Sequence, residues 1–277
     1  MGFEQIPQPP LWQGRLGEAT ATVVGGRGLR LTGLSGFHLD EGPELTWLNV
    51  YRVLAEGRQL DIPRDRPPAA IEAVDGAVEV RWAPTAQLRA EVAVRYRLVE
   101  AASAVEAAFH VRCEAAYQRL ELFVSSYFTP YYRPSFAVGD RRLAPEPLVW
   151  YEKRWYGEDE DETWTRDPEA DAVFEDGRWQ TGYPLNWRRG AHYAEPLMIQ
   201  EHRYGHAVAL MSRRADCIGL SGLNSYHNAQ YHHLFGADTA AGEERSATVR
   251  LAVLAEWKDL RAEVLARYRD WVGGGRR

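Results

Sequence analysis

Residues 91–99 read Glu-Val-Ala-Val-Arg-Tyr-Arg-Leu-Val. In an extended chain Val92, Val94, Tyr96 and Leu98 fall on one side and Glu91, Ala93, Arg95, Arg97 and Val99 on the other, the two-residue period of a half-buried strand. The reading spreads outward from there. Residues 19–24, 45–54, 71–82, 104–113 and 118–126 are further strands, and Asp75-Gly76, Ala83-Pro84 and Glu100-Ala101-Ala102 supply turn chemistry between them. Turns recurring roughly every ten residues are what a sandwich or barrel requires. No alternation of strand and helix appears, which excludes a doubly wound parallel fold.

Composition narrows the function classes. The chain has 277 residues, 45% hydrophobic and 26% charged, enough to bury a sizeable core. No run approaches the ~20 apolar residues that cross a bilayer, and the N-terminus lacks a basic-then-apolar secretory pattern. The expectation is a cytoplasmic protein with no membrane partner. A net charge of -6 without a basic face argues against nucleic acid. Cys113 and Cys217 form no paired motif, so neither a disulfide framework nor a zinc knuckle is expected.

Later segments complete the organisation. Residues 127–193 carry six prolines, an acidic run at 158–162 and little periodicity, and read as a long irregular, aromatic-rich insertion. Strands resume at 196–201, 206–211, 217–220, 231–235 and 244–254. Over residues 256–271, Trp257, Leu260, Val264, Tyr268 and Trp271 recur at helical spacing, and Glu263 with Arg267 makes an i,i+4 pair. No linker interrupts residues 1–277, which are read as one domain.

Familiar motifs are mostly absent. The Gly219-Leu220-Ser221-Gly222 stretch is not a nucleophile elbow, and no glycine fingerprint for phosphate or dinucleotide is present. His202 and His206 flank a hairpin turn rather than one helix face, and the acidic run lacks the spacing of a calcium loop. No metal or other cofactor is expected.

The informative feature is a concentration of rings. Seventeen of the 32 aromatic residues lie between 117 and 193, where flat apolar faces suit a sugar ring and arginine forks suit its hydroxyls or carboxylates. Tyr127, Trp150, Arg154, Trp155, Arg178, Trp187 and, further on, Tyr231 are the candidate substrate-binding residues. Residues 225–238 add His227, His232 and His233, and in a strand the last two point to opposite faces.

Several of these stretches carry a resemblance. Arg166-Asp167-Pro168 followed by Asp176-Gly177-Arg178-Trp179, the segment from His227 to Gly236, and Gly242-Glu243 leading into the strand 247–254 resemble uncharacterised bacterial proteins of the galactose-mutarotase-like β-supersandwich type. The resemblance implies an all-β, antiparallel supersandwich with a C-terminal helix and a sugar-handling cleft. Aldose 1-epimerases of that type use a histidine acid and a glutamate base, but their surrounding motifs do not map onto this sequence, so that activity does not carry over. The expected partner is a carbohydrate. If the chain is catalytic, acid–base chemistry falls to His227 or His192 with Glu152 or Glu195, as in a hydrolase, lyase or isomerase. The rival is a non-catalytic sugar-binding or protein-interaction module. Oligomeric state is open.

Overall fold

The computed structural model describes residues 4–7, 10–16, 19–24, 27–32, 46–139, 148–153, 161–179, 188–223 and 228–274, with 4–7, 10–11 and 31–32 as backbone only. In chain order the strands are β1 (Glu4–Pro7), β2 (Pro10–Leu16), β3 (Ala19–Val23), β4 (Leu29–Thr32), β5 (Asn49–Ala55), β6 (Arg58–Asp61), β7 (Ala70–Val74), β8 (Ala77–Trp82), β9 (Ala90–Val99) and β10 (Ala104–Cys113). They continue as β11 (Tyr117–Phe128), β12 (Tyr132–Gly139), β13 (Leu148–Glu152), β14 (Glu162–Thr165), β15 (Arg188–Arg189), β16 (Tyr193–His202), β17 (Ala207–Ser212), β18 (Cys217–Leu223), β19 (Asn228–Thr239) and β20 (Glu244–Leu254). Two helices join them, α1 (Pro168–Phe174) and α2 (Leu260–Gly273).

Three sheets result. The orders are β1-β2-β3-β4, then β13-β12-β16-β17-β20-β10-β9-β8-β7, then β15-β14-β18-β19-β11-β5-β6. Among the described strands only the short β14–β15 pair is parallel. Alternation explains the layering: in β10, Val105, Ala107, Phe109 and Val111 point inward and are buried while His110 and Arg112 are exposed. Those inward residues join Val124, Leu220 and Leu234 from the seven-stranded sheet, and Trp12 and Val23 from the N-terminal sheet, in one core. Each large sheet then has its outer face partly covered by a helix. Leu260, Val264, Tyr268 and Trp271 of α2 pack on Leu197, Ile199, Ala209 and Met211 of the nine-stranded sheet. Ala170, Val173 and Phe174 of α1 pack on Phe123, Ile218 and Tyr231 of the seven-stranded sheet.

Some elements depart from the sequence reading. Residues 71–82 form two strands, folded back at Asp75-Gly76, whose φ values of +48° and +75° suit a tight hairpin turn. The helix starts at Leu260, where the Asp259 side chain accepts from the Ala262 N–H, and not at residue 256. The middle of the chain is less irregular than its periodicity suggested, since β12, β13, β14 and α1 lie within it. β12 is buried on both faces over most of its length, so its residues show no alternation to read.

Candidate functional site

The outer face of the seven-stranded sheet gathers most of the polar chemistry that the inner core excludes. Side chains at every second position line it: Thr163 and Thr165 from β14, Gly219 and Ser221 from β18, Ala229, Tyr231 and His233 from β19, then Glu121, Phe123, Ser125 and Tyr127 from β11. His232 points instead into the core between the sheets, as the strand period requires. Near Glu121 the β11–β19 ladder is irregular, with Arg119 and Phe235 at φ of +52° and +73°. Such a bulge re-aims side chains, and Glu121 lies opposite Phe235 with its carboxyl reaching His233.

Glu121 anchors a buried relay. Its Oε1 accepts from His233 Nδ1 at 2.7 Å, and its Oε2 accepts from Arg178 Nη1 at 3.1 Å. On the other side of the imidazole, Nε2 is 2.7 Å from Ser221 Oγ, which is itself 2.7 Å from Thr163 Oγ1. Burial pushes the His233 imidazole below its ordinary value despite the adjacent Glu121, so the ring is neutral at pH 7. The network then assigns one tautomer: Nδ1–H donates to Glu121, and Nε2 accepts from the Ser221 hydroxyl. Serine, histidine and acid stand in the order of a hydrolytic triad, but Ser221, His233 and Glu121 have no solvent-accessible surface, and Ser221 is engaged on both sides. No carbonyl can reach that hydroxyl. The relay holds structure.

What it holds is the segment after α1. Asp167 caps α1 by accepting from Ala170 N–H at 2.9 Å, with Pro168 at the first helical position, so Arg166-Asp167-Pro168 is a helix start. Phe174 at its end packs over Gly219, where a Cβ would sit 2.8 Å from the ring. Arg178 then plunges into the face, 1% exposed, and spends four of its five N–H groups on Asp176, Glu121 and the Arg119 carbonyl. Removing one member of such a buried set leaves an uncompensated charge, at a cost of about 3–5 kcal/mol.

Beyond this clamp the face opens. Phe123 stacks on Tyr231 at 4.6 Å between centroids, meets Trp179 edge-on at 4.8 Å and approaches Tyr51 at 5.6 Å. Tyr127 stands edge-on to Tyr231. Burial pushes both phenols up, so they stay neutral hydroxyls. Over this aromatic floor lies Arg64, from the short turn Pro63–Asp65: its guanidinium carbon is 3.5 Å from the Tyr51 centroid, and Nη1 donates to the Tyr127 hydroxyl at 2.9 Å. Nη1 also lies 3.4 Å from Asn49 Oδ1 and from Ser125 Oγ, and Ser125 donates to Asn49 at 2.6 Å. Tyr51, Arg64 and Tyr127 are each half-buried, so the guanidinium covers the Tyr51 ring while part of Tyr127 reaches solvent beside it.

At the other side of α1, His192 Nε2 is 3.1 Å from Asp171 Oδ2, and Asp171 also accepts from Arg189 and from Thr165. Burial raises the Asp171 pKa, but hydrogen bonds from Thr165 and His192 outweigh it and hold the carboxyl below its usual range. Both side chains of the pair are partly exposed.

Of the residues singled out in sequence, Tyr127, Tyr231 and Arg178 come together on this face, and His192 lies at its α1 edge. Glu152, Glu195 and Trp150 belong to the opposite sheet, beside α2: Glu152 pairs with Arg261, Glu195 bonds Tyr268, and Trp150 packs on the α2 cluster. His227, Arg154, Trp155 and Trp187 lie outside the described residues, as does part of the acidic run. Among the described residues no cluster of acids, histidines and cysteines has the geometry to hold a metal ion, and no helix is long and apolar enough to cross a membrane. Tyr51, Arg64 and Glu121 escaped the sequence reading, which did note His233 as a histidine on the opposite strand face to His232.

With three sheets in this order and a terminal helix, the fold class is an all-β, antiparallel supersandwich. Solved structures share it. The Slr1438 protein from Synechocystis sp. PCC 6803 matches at 11% identity and a TM-score of 0.51, over 92% of this chain and 99% of that one. The GH36 α-galactosidase AgaB from Geobacillus stearothermophilus matches at 10% identity and 0.53, over 92% of this chain and 41% of the enzyme. The α-N-acetylgalactosaminidase NagBb from Bifidobacterium bifidum, in its GalNAc complex, matches at 12% and 0.59, over 96% and 39%. The chain thus spans about two fifths of either glycosidase. At these identities the likeness is one of fold. No protein-family model matches the sequence, and no curated protein matches it.

Proposed function

We propose that the protein binds a carbohydrate on the outer face of its seven-stranded sheet, with the sugar ring against Tyr127 and its polar edge toward the Arg64 guanidinium that covers Tyr51. The observation that carries this reading is the pre-set guanidinium 3.5 Å from the Tyr51 centroid, with Arg64, Tyr51 and Tyr127 all half-buried. Aromatic faces bury the C–H surface of a pyranose, and a fork already held by Tyr127, Asn49 and Ser125 loses little entropy on binding. The shared fold with α-galactosidase and α-N-acetylgalactosaminidase structures supports the ligand class.

Acid–base chemistry on the bound sugar is the second reading, and the His192–Asp171 pair favours it. A histidine within hydrogen-bond reach of a carboxylate, both reaching solvent, is the minimal equipment for moving a proton. Isothermal titration with galactose, N-acetylgalactosamine, glucose and galacturonate tests the primary reading. At least one sugar gives a saturable heat, and Tyr51→Ala weakens it at least about tenfold. No saturable heat from any of them at millimolar concentration overturns it.

A further inference from the structure

Arg64 differs from its neighbouring arginines in what it leaves unused. Arg178 is enclosed by Asp176 and Glu121, and Arg189 is paired with Asp171 and Glu175. Arg66, two residues on, is spent on Asp61 at 2.8 Å. Arg64 commits Nη1 to neutral groups, the Tyr127 hydroxyl, Ser125 and Asn49. Its Nε faces Asp65 Oδ1 at 3.5 Å, and that carboxylate is 61% exposed and so largely given over to water. Nη2 has no partner among the described residues and is not buried, while the side chain as a whole is 22% exposed.

The plane of this fork is fixed by ring faces, since the guanidinium carbon sits 3.5 Å from the Tyr51 centroid and 5.2 Å from that of Tyr127. A guanidinium is weakly hydrated, stacks on aromatic faces and presents N–H groups in the geometry of a carboxylate. Leaving two charged N–H groups open beside half-buried Tyr127, with no close buried carboxylate among the described residues to neutralise them, is a recognition element for an anion.

We propose that the ligand on this face is an acidic sugar, a uronate whose ring lies against Tyr127 beside the Arg64–Tyr51 stack and whose carboxylate accepts from Arg64 Nη2. This rests on the carbohydrate reading of the same face and adds the charge of the ligand to it. A carboxylate suits the site better than a phosphate ester: one free nitrogen with Asp65 alongside, in a chain of net charge -6, offers little to compensate a dianion.

Matched sugars test it. Affinities of D-galactose and D-galacturonate, and of D-glucose and D-glucuronate, are measured by isothermal titration at pH 7, with hexose 6-phosphates as a third arm. The uronate of at least one pair binds about 10- to 100-fold more tightly than its neutral partner, as a charge-assisted hydrogen bond implies. Arg64→Gln brings that ratio close to one, because the uronate loses more affinity than its neutral partner does. Arg64→Lys, which keeps the charge but loses the fork, gives an intermediate ratio and serves if the glutamine variant does not fold. Equal binding of neutral and acidic partners overturns the proposal and leaves the carbohydrate reading standing. Tighter binding of the 6-phosphates than of the uronates overturns the carboxylate assignment. Binding of no sugar in any arm removes both.

Discussion

Two adjacent histidines on β19 show how a strand assigns chemistry. His233 faces outward into hydrogen bonds on both ring nitrogens, whereas His232 faces the inter-sheet core with Nε2 unpartnered. Burial, with a smaller contribution from His233, pushes the His232 imidazole down to about 3. In the unfolded chain the same group titrates near ~6.5. As pH falls below that value the unfolded state takes up the proton first, so stability is complete above about pH 6.5 and declines toward pH 3. At pH 5 the loss from His232 alone is about 2 kcal/mol. Guanidinium unfolding at pH 7 and pH 5 measures it: the wild type loses roughly 2 kcal/mol more between the two than His232→Leu does. Equal losses contradict the assignment. Carboxyls such as Asp171 and Asp176 are held below their usual range and add little in that window.

Among the elements, the two helices do different work. α1 is seven residues long, needs Asp167 and Pro168 to start, and is tied to the sheet by Phe174 over Gly219 and by the Arg178 clamp beyond it. α2 is held by packing. Its Trp271 is 8% exposed, has Arg250 and Arg213 at 4.9 and 5.5 Å from its ring centroid, and donates from Nε1 to Glu106 at 3.0 Å. Trp271→Ala therefore costs about 3–5 kcal/mol and lowers the melting temperature by on the order of 10 °C. A change below about 1 kcal/mol would mean that α2 contributes little to the sandwich. This helix was legible because Leu260, Val264, Tyr268 and Trp271 keep helical spacing, and so were β9, β10 and β20, which bury one face. β12 and β14 were not, because strands covered on both sides lose the alternation that marks them.

On the scale of the whole molecule, the sandwich puts its apolar residues between the sheets and pushes polar groups to two outer faces, one under α2 and one around α1. Tyr127, Tyr231 and Arg178, singled out in sequence as substrate-binding candidates, lie on the latter, but the neighbours of Arg178 are Glu121 and Asp176. A buried ion pair across 57 positions leaves no trace in local spacing. Arg64 was missed for the same reason, since Tyr51, Tyr127 and Arg64 meet only through the β5–β11 pairing. The central claim is that this face is where a sugar sits. A crystal structure determined after soaking with the tightest-binding monosaccharide tests it most directly. The account predicts the sugar ring in density against Tyr127, within hydrogen-bond distance of Arg64. Density for the sugar on the nine-stranded sheet, such as the groove lined by Glu79, Arg95, His110 and Arg112, with this face bare, would contradict it.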